Sequence, residues 1–373
     1  MAKPSPSERP DENAQAGAII AELTELLRRG TPLLDVRAPG EYEKGSVPNS
    51  VNLPILNDEE RAAVGTRYKQ AGASAATELG HALVNGETRA GRIDAWRTWL
   101  AAHPDARLTC WRGGQRSAIA QQWLADAGVS VPRIPGGYKA LRHACLHVLA
   151  TAATEPMPWL VLGGRTGTGK TVVVQEEARA IDLEGLAHHR GSAFGGHGDA
   201  QPPPATFENA LACSALAHEG GVLLLEDESR TIGRLAVPET WHARMQQSPL
   251  VLVEADLQTR AEHIAREYID DARAGGQTDE VLHARYADAL RRIARRLGGL
   301  RHDRIRDLLN QAFEARVPHT VWITALLAEY YDPMYDYQLK GKRDRVVFRG
   351  SRPEVTAYLA ELDPARLEKS RIN

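Results

Sequence analysis

Cysteine is scarce in this chain of 373 residues: Cys110, Cys145 and Cys213 are the only three, far apart and without a C-x-x-C pair. That excludes a disulfide framework and a zinc site of the usual cysteine spacing as organising devices. Net charge is lacking too. The chain carries 46 Lys and Arg against 48 Asp and Glu, for a formal net charge of −2. No global field attracts nucleic acid, so an RNA-binding surface has to come from local segregation of charge. Long apolar runs are missing, and no membrane span is expected. Glycine (32) and proline (21) are too sparse for low complexity, and there is no internal repeat or long linker. The opening MAKPSPSERPDENAQ lacks the apolar stretch of a signal peptide. It reads as a disordered leader over residues 1–14 of a cytoplasmic protein.

What is present can build large cores, since 43% of the residues are hydrophobic. A chain of this length is expected to form two or three domains. Residues 16–29 place Ile19, Ile20, Leu23, Leu26 and Leu27 at helical spacing, ended by Gly30 and Pro32. LLDVR then reads as a strand, followed by a loop and a second short strand around 50–53. Residues 59–100 read as mostly helical. Strands are expected at 107–110 and 131–134, with the helix SAIAQQWLADAG between them. Strand–loop–helix alternation implies an α/β domain with a largely parallel sheet, whose ligands bind beyond the carboxyl ends of the strands. Cys110 stands at such an end. A helix across 138–152 leads into a second unit with strands WLVLGG, GGVLLLEDE and SPLVLVEAD. After about residue 257 the pattern turns helical, with a short strand RVVF in the tail and a last helix near 354–362.

The segment Cys110-Trp111-Arg112-Gly113-Gly114-Gln115-Arg116-Ser117 suits sulfur chemistry on an anion. A thiolate is favoured near a helix N-terminus and near arginine. Successive N–H groups of a glycine-bearing loop can bind an oxyanion, and Arg116 can add bidentate contacts to a phosphate-like group. The plainer reading, a buried structural cysteine, is common for an isolated Cys. The loop, its two glycines and its arginines shift the balance towards a nucleophile.

A second site reads from Gly164-Arg165-Thr166-Gly167-Thr168-Gly169-Lys170-Thr171, which fits G-x-x-x-x-G-K-[ST] between an apolar strand and a helix. Its N–H groups can wrap a diphosphate, Lys170 adds a point charge, and Thr171 is positioned to ligate Mg²⁺. The strand that ends in Glu226, Asp227 and Glu228 has the character of the acidic strand that accompanies phosphate loops. A solvated strand end is the plainer reading of those acids.

The first region resembles the rhodanese family over about residues 15–145. The shared features are Asp35 and Arg37, Glu41-Tyr42, the run Gly45-Ser46-Val47-Pro48-Asn49-Ser50-Val51-Asn52, the cysteine loop and Gly136-Gly137-Tyr138. One departure is the spacing C-x5-R where most single rhodanese domains have C-x-x-G-x-R. The longer loop also resembles the tyrosine-phosphatase signature and leaves room for a tetrahedral phosphate-containing donor. Together with the phosphate loop, the chain resembles the tRNA 2-selenouridine synthase family over nearly its whole length. Further blocks carry that resemblance: Val64-Gly65-Thr66-Arg67-Tyr68-Lys69-Gln70, Arg190-Gly191-Ser192-Ala193-Phe194-Gly195, Ser229-Arg230-Thr231-Ile232-Gly233 after the acids, and Tyr330-Tyr331-Asp332-Pro333-Met334-Tyr335-Asp336.

The resemblance implies an α/β fold: a rhodanese-like parallel-sheet domain (15–145), a P-loop NTPase-like α/β domain (146–257) and a mostly helical C-terminal part (258–373) that could bind tRNA. It implies a transferase acting on wobble 2-thiouridine of tRNA in two steps. Sulfur is alkylated by geranyl diphosphate, and selenium from selenophosphate then replaces it. Cys110 would handle selenium, in one form as a perselenide, with Arg112, Gly113, Gly114, Arg116 and Ser117 around the selenophosphate. The P-loop would hold the prenyl diphosphate, with Mg²⁺ as a possible ion at Thr171 and no tightly bound cofactor. The partners implied are tRNA and a supplier of selenophosphate.

For tRNA itself, residues 285–306 carry eight arginines and two acids. Arg285, Arg292, Arg295 and Arg296 can share a helix face and contact phosphates; a solvated, packing helix is the equal alternative. Tyr330, Tyr331, Tyr335 and Tyr337 could stack a base or fill a core. His188, His189 and His197 lack ligand-like spacing and suggest no metal. Two rival classes remain. A P-loop NTPase with a rhodanese regulatory module would turn over ATP without RNA, and a non-catalytic chalcogen carrier would tolerate Lys170→Ala.

Overall fold

The computed structural model describes residues 9–192, 194–196, 200–364 and 367. The expected leader over 1–14 lies outside the described residues up to residue 8. From there the chain is already helical, Arg9–Arg28. Once a turn packed through buried Leu23 and Leu27 exists, extending it adds one hydrogen bond per residue at little cost, so the helix runs further back than its apolar face. Among the described residues no helix is long and apolar enough to cross a membrane.

The chain divides into two compact units, Met1–Thr154 with Pro202–Ala217, and Glu155–Gln201 with His218–Asn373. The boundary expected at 145/146 would cut the helix Gly137–Ala152, which instead belongs whole to the first unit.

In the first unit β1 (Leu33–Asp35), β2 (Ser50–Asn52) and β3 (Arg107–Thr109) form a parallel sheet in the order β2-β1-β3. The strand expected at 131–134 is reduced to a single bridge between Leu108 and Arg133. Pro132 has no N–H to extend a ladder. Leu34, Leu108, Trp96, Trp123 and Leu124 form the core under the helices. The helical stretch 59–100 is two helices, Asp58–Leu83 and Gly86–Ala102. The first breaks at Gly72, where φ is +81° and the two halves turn against each other. The helix Pro204–Ala217 is taken from the middle of the phosphate-loop region and docks on this unit. Its buried Asn209 donates to the Ser46 carbonyl (2.7 Å) and accepts from Arg142 (2.9 Å). The run PATFENALACSALA is apolar enough to signal a packed helix, but nothing local says against what it packs.

In the second unit β4 (Trp159–Gly163), β5 (Ala180–Ile181) and β6 (Leu223–Glu226) are joined by β9 (Leu250–Val253) and β10 (Val346–Gly350). Their order is β10-β9-β4-β6-β5 and every pairing is parallel. A fully buried parallel sheet requires apolar runs on both faces, which WLVLG, LLLE and LVLV provide. The tail strand β10 therefore completes the phosphate-loop sheet. β7 (Thr231–Ile232) and β8 (Leu235–Ala236) form a hairpin turned by Gly233, which accounts for the block that follows the acids. The helices from Leu257 to Lys340 build their own core around Tyr286, Leu290, Trp322 and Leu327. Tyr330 and Tyr331 are buried in it, so these two serve packing first, while Tyr337 is exposed.

Candidate active sites

Cys110 follows β3 and is buried at 3% exposure beneath the loop that ends in the helix Gln115–Asp126. Its thiol donates to the hydroxyl of buried Ser117 (3.3 Å), which in turn donates to the Gly114 carbonyl (3.0 Å). The loop is held by its carbonyls. Cys110, Trp111 and Gly113 accept from the amides of Tyr138 and Lys139 and from the Arg133 guanidinium. The amides of residues 111–114 donate to no acceptor among the described residues. An arrangement with carbonyls tied outward and amides left over is what an oxyanion cradle requires.

Gly137 presses against this loop in the left-handed region (φ +61°); a Cβ there would meet the Cys110 carbonyl oxygen at 2.2 Å and the Gly113 nitrogen at 2.3 Å. Gly137→Ala is therefore expected to displace the loop and destabilise the protein by about 1–3 kcal/mol. Denaturant unfolding of the variant measures this, and unchanged stability would contradict the close approach.

The rhodanese-like residues prove to be the frame of the loop. Buried Arg37 pairs with buried Asp35 at 2.7 Å and donates to the carbonyls of Glu41 (3.2 Å) and Gly45 (2.9 Å). Burial pushes the Asp35 carboxyl up, with Arg37 opposing. Asn52 donates to the carbonyls of Asp35 and Arg37. Arg116, expected to face an anion directly, is instead paired with both oxygens of Glu41, and Arg61 shares that carboxylate at 3.2 Å. Burial alone would raise Glu41, but the two arginines outweigh it and hold its carboxyl below the usual range. Arg112 is exposed and lines the same cavity as Cys110. A cavity of about 720 Å³ opens beside the loop, lined by Cys110, Arg112 and Arg116 and otherwise mostly by apolar groups.

In the second unit the phosphate loop leaves β4 through glycines with positive φ at Gly164, Gly167 and Gly169. At Gly164 a Cβ would meet the Val253 carbonyl at 2.6 Å, and at Gly167 the Arg260 carbonyl at 2.8 Å. Lys170 begins the following helix and donates to the Gly164 carbonyl at 3.0 Å. Thr168 is buried and donates to the Arg165 carbonyl, so its hydroxyl serves the loop. Thr166 lines the cavity, and its carbonyl accepts from Arg260 (3.4 Å). The block 330–336 braces this loop. Asp332 holds buried Arg260 at 2.7 Å, and Asp336 holds Arg165 at 2.6 Å. In the sequence the two aspartates stand only as members of a block of family resemblance; their bracing role was not read from it, although their spacing of four on a helix was the available signal.

A cavity of about 740 Å³ faces the phosphate loop, with Lys170, Thr171, Glu184, Glu228, Tyr330 and Tyr335 in its wall. Thr171 donates to Glu184 at 3.4 Å. Glu226 is fully buried; one carboxylate oxygen accepts from the Glu184 amide (3.0 Å) and the other has no partner. Asp227 is occupied by Lys342 at 2.7 Å. Glu184, missed from sequence, is thus the acid nearest Thr171. An orphaned carboxylate oxygen among Asp182, Glu184 and Glu228 fits a divalent cation. Among the described residues no three acidic, His or Cys side chains converge on one point. Mg²⁺ would then take its remaining oxygens from a diphosphate and water, its usual habit.

Burial, then Glu184, pushes the Glu228 carboxyl up to about 8. Burial, then Glu184, also raises Glu226 well above the ordinary value of 4.5. Groups that bind protons more tightly when folded stabilise the protein fully below their unfolded value, and that contribution is lost as pH rises towards 8. Glu228→Gln is accordingly expected to stabilise the metal-free protein above pH 8 by up to about 5 kcal/mol, and to change little near pH 4.5. Thermal melts across that range read the effect, and an unaltered pH slope would contradict it.

The arginine helix is Asp279–Leu297. Arg292, Arg295 and Arg296 are exposed on it, and Arg296 lines the phosphate-loop cavity. Arg292 pairs with Asp288. Arg285 is half-buried and turned to Gln277 and the Gly196 carbonyl, so it does not share their solvent face. Burial lowers His189, with Arg190 and Arg292 adding to it, which suits a neutral packed imidazole; His197 lies outside the described residues.

Comparison with known proteins matches both parts of the chain. The family model described as tRNA 2-selenouridine synthase AAA domain matches residues 157–365, and that of the rhodanese-like domain matches 20–144. A tRNA 2-selenouridine synthase of Sulfurovum sp. (strain NBC37-1) is 43% identical over 358 residues, covering 91% of this chain and 98% of that protein. One from Cupriavidus necator is 47% identical over 355 residues, covering 91% and 96%. One from Shewanella loihica is 42% identical over 368 residues, covering 94% and 99%. With both of its domains matched and its relatives aligned nearly end to end, the chain belongs to the tRNA 2-selenouridine synthase family.

Proposed function

We propose that the protein converts wobble 2-thiouridine of tRNA to 2-selenouridine by S-geranylation followed by selenation. The observation that carries this is the presence in one chain of two different anion loops, each with its own cavity: a diphosphate-type loop at Lys170 and a thiol-bearing loop at Cys110. A thiocarbonyl sulfur is a poor leaving group, and alkylation makes it a better one. In the first step sulfur attacks the carbon bearing the diphosphate; the S–C bond forms, the C–O bond breaks, and the N3 proton goes to solvent. The loop amides and Lys170 hold the departing diphosphate. Mg²⁺ at Thr171 and the acids beside it would supply further charge neutralisation.

In the second step selenium from selenophosphate attacks C2 and the geranyl thiol leaves. The phosphorus–selenium bond must also break. The Cys110 thiolate can attack phosphorus, keeping the electron pair on selenium, and water then releases phosphate from sulfur. The longer C-x5-R loop supports a tetrahedral phosphorus there. tRNA phosphates would be met by Arg292, Arg295 and Arg296. The setting is the cytoplasm, with a selenophosphate-producing enzyme as supplier.

The test is mass spectrometry of nucleosides from 2-thiouridine tRNA incubated with the protein, geranyl diphosphate, Mg²⁺ and selenophosphate. A 2-selenouridine signal is expected, with geranylated thiouridine accumulating when selenophosphate is omitted. Unchanged 2-thiouridine in both reactions, from folded protein, would favour the NTPase or carrier reading.

A further inference from the structure

The cavity beside Cys110 is larger and more apolar than an inorganic anion needs. Its walls come from both halves of the helix Asp58–Leu83, folded about Gly72. The first half contributes Val64 and Tyr68, four residues apart; the second contributes Ala76 and Gly80, also four apart. That spacing puts each pair on one helical face. Gly80 faces Val64: a Cβ at Gly80 would lie 3.8 Å from the Val64 side chain and meet nothing else. Ile55, Leu56, Val84 and Trp123 close the floor and are buried. Gln115, on the helix after the cysteine loop, donates to Thr77 and ties the folded helix to the loop. Cys110, Arg112 and Arg116 stand at the loop end, with Arg61 sharing the Glu41 carboxylate of Arg116; exposed Thr66, Lys69 and His81 also border the space, but most of its lining is apolar.

Such a space fits a ligand with a long apolar body and a reactive atom at one end. Selenophosphate is small and wholly polar, so it can occupy only the loop end. The volume of about 720 Å³ exceeds what one short alkyl group fills. We propose that this cavity is a prenyl subsite, which holds the ten-carbon chain of S-geranyl-2-thiouridine and so brings its C2–S bond to the cysteine loop. This rests on the S-geranyl intermediate proposed above. The chain bound in the first step at the phosphate loop thus has a second, separate receptor in the rhodanese-like unit, and selenation selects for substrate that has been alkylated. The block 64–70 supplies one wall of this subsite.

Equilibrium binding of two nucleosides to the full chain tests this independently of turnover: S-geranyl-2-thiouridine and S-methyl-2-thiouridine, followed by calorimetry or ligand-observed NMR. Wild type is expected to prefer the geranyl compound by about tenfold or more, given what even a single methylene adds in an apolar pocket. Gly80→Phe, which fills the cavity, should abolish that preference while leaving the weak methyl affinity. Ala62→Glu, at an exposed position of the same lining, puts a carboxylate at the mouth and should do likewise; it carries the test if Gly80→Phe does not fold. Equal affinities in wild type, or an undiminished geranyl preference in the folded variants, would overturn the subsite. The reaction is judged separately. If the preference holds but geranylated tRNA is never converted to 2-selenouridine, the subsite stands and the reaction falls.

Discussion

Cys110→Ala is expected to lower selenium incorporation by roughly a thousandfold or more, the scale on which removal of a nucleophile acts, while S-geranylation continues. The thiol sits under a loop whose Cys110, Trp111 and Gly113 carbonyls are tied to the Tyr138 and Lys139 amides and the Arg133 guanidinium, and its neighbour Ser117 is placed to hold a sulfur but is fully buried. No other described cysteine stands in the loop: Cys145 is fully buried and Cys213, on the helix Pro204–Ala217, is hydrogen-bonded to it. The substitution removes little volume and leaves the backbone brace at Gly137 intact, so the variant should fold. Nucleoside analysis should then show geranylated thiouridine building up where wild type yields 2-selenouridine. Selenium incorporation at the full rate would remove Cys110 from the mechanism.

The complementary change is Lys170→Ala. It removes the point charge of the phosphate loop but not the glycine backbone, and the braces Arg260–Asp332 and Arg165–Asp336 remain. Loss of one preorganised charge from a departing diphosphate is worth on the order of a hundred- to a thousandfold in rate. Geranyl transfer from geranyl diphosphate should fall by that factor. Selenation of tRNA that has already been geranylated should be spared, since the cysteine loop belongs to the other unit. The pair of variants thus splits the reaction into its halves. A Lys170→Ala protein that geranylates normally would favour a loop without a catalytic part, as in a carrier. One that loses both halves would show that the phosphate loop also serves the selenium step.

The two chemical loops were legible because each consists of consecutive residues whose conformation is locally determined. Glycines at positive φ, a lysine at a helix start and a cysteine at a strand end are all neighbours in sequence. The parallel sheets were legible for a similar reason: WLVLG, LLLE and LVLV are too short and too apolar to be anything but buried strands. The strand expected at 131–134 was the exception, since a proline removes the donor that a strand would need there. Other features depend on distant pairings that no local pattern reports. Arg116 faces Glu41, seventy-five residues away, so its charge is already answered. Asp332 and Asp336 support a loop about 170 residues earlier. Asn209 carries a helix from the phosphate-loop region onto the rhodanese-like unit.

The apolar cavity beside Cys110 belongs to that second class. Composition announces that residues 58–83 are helical, but only the break at Gly72 makes one helix into two facing walls. The sequence by itself determined which residues could do chemistry, because reactivity is a property of residue type and immediate neighbours. The tertiary structure decided which of them are free to do it and what space they face, because ion pairing, burial and cavity shape are set by groups that meet only after the chain has folded.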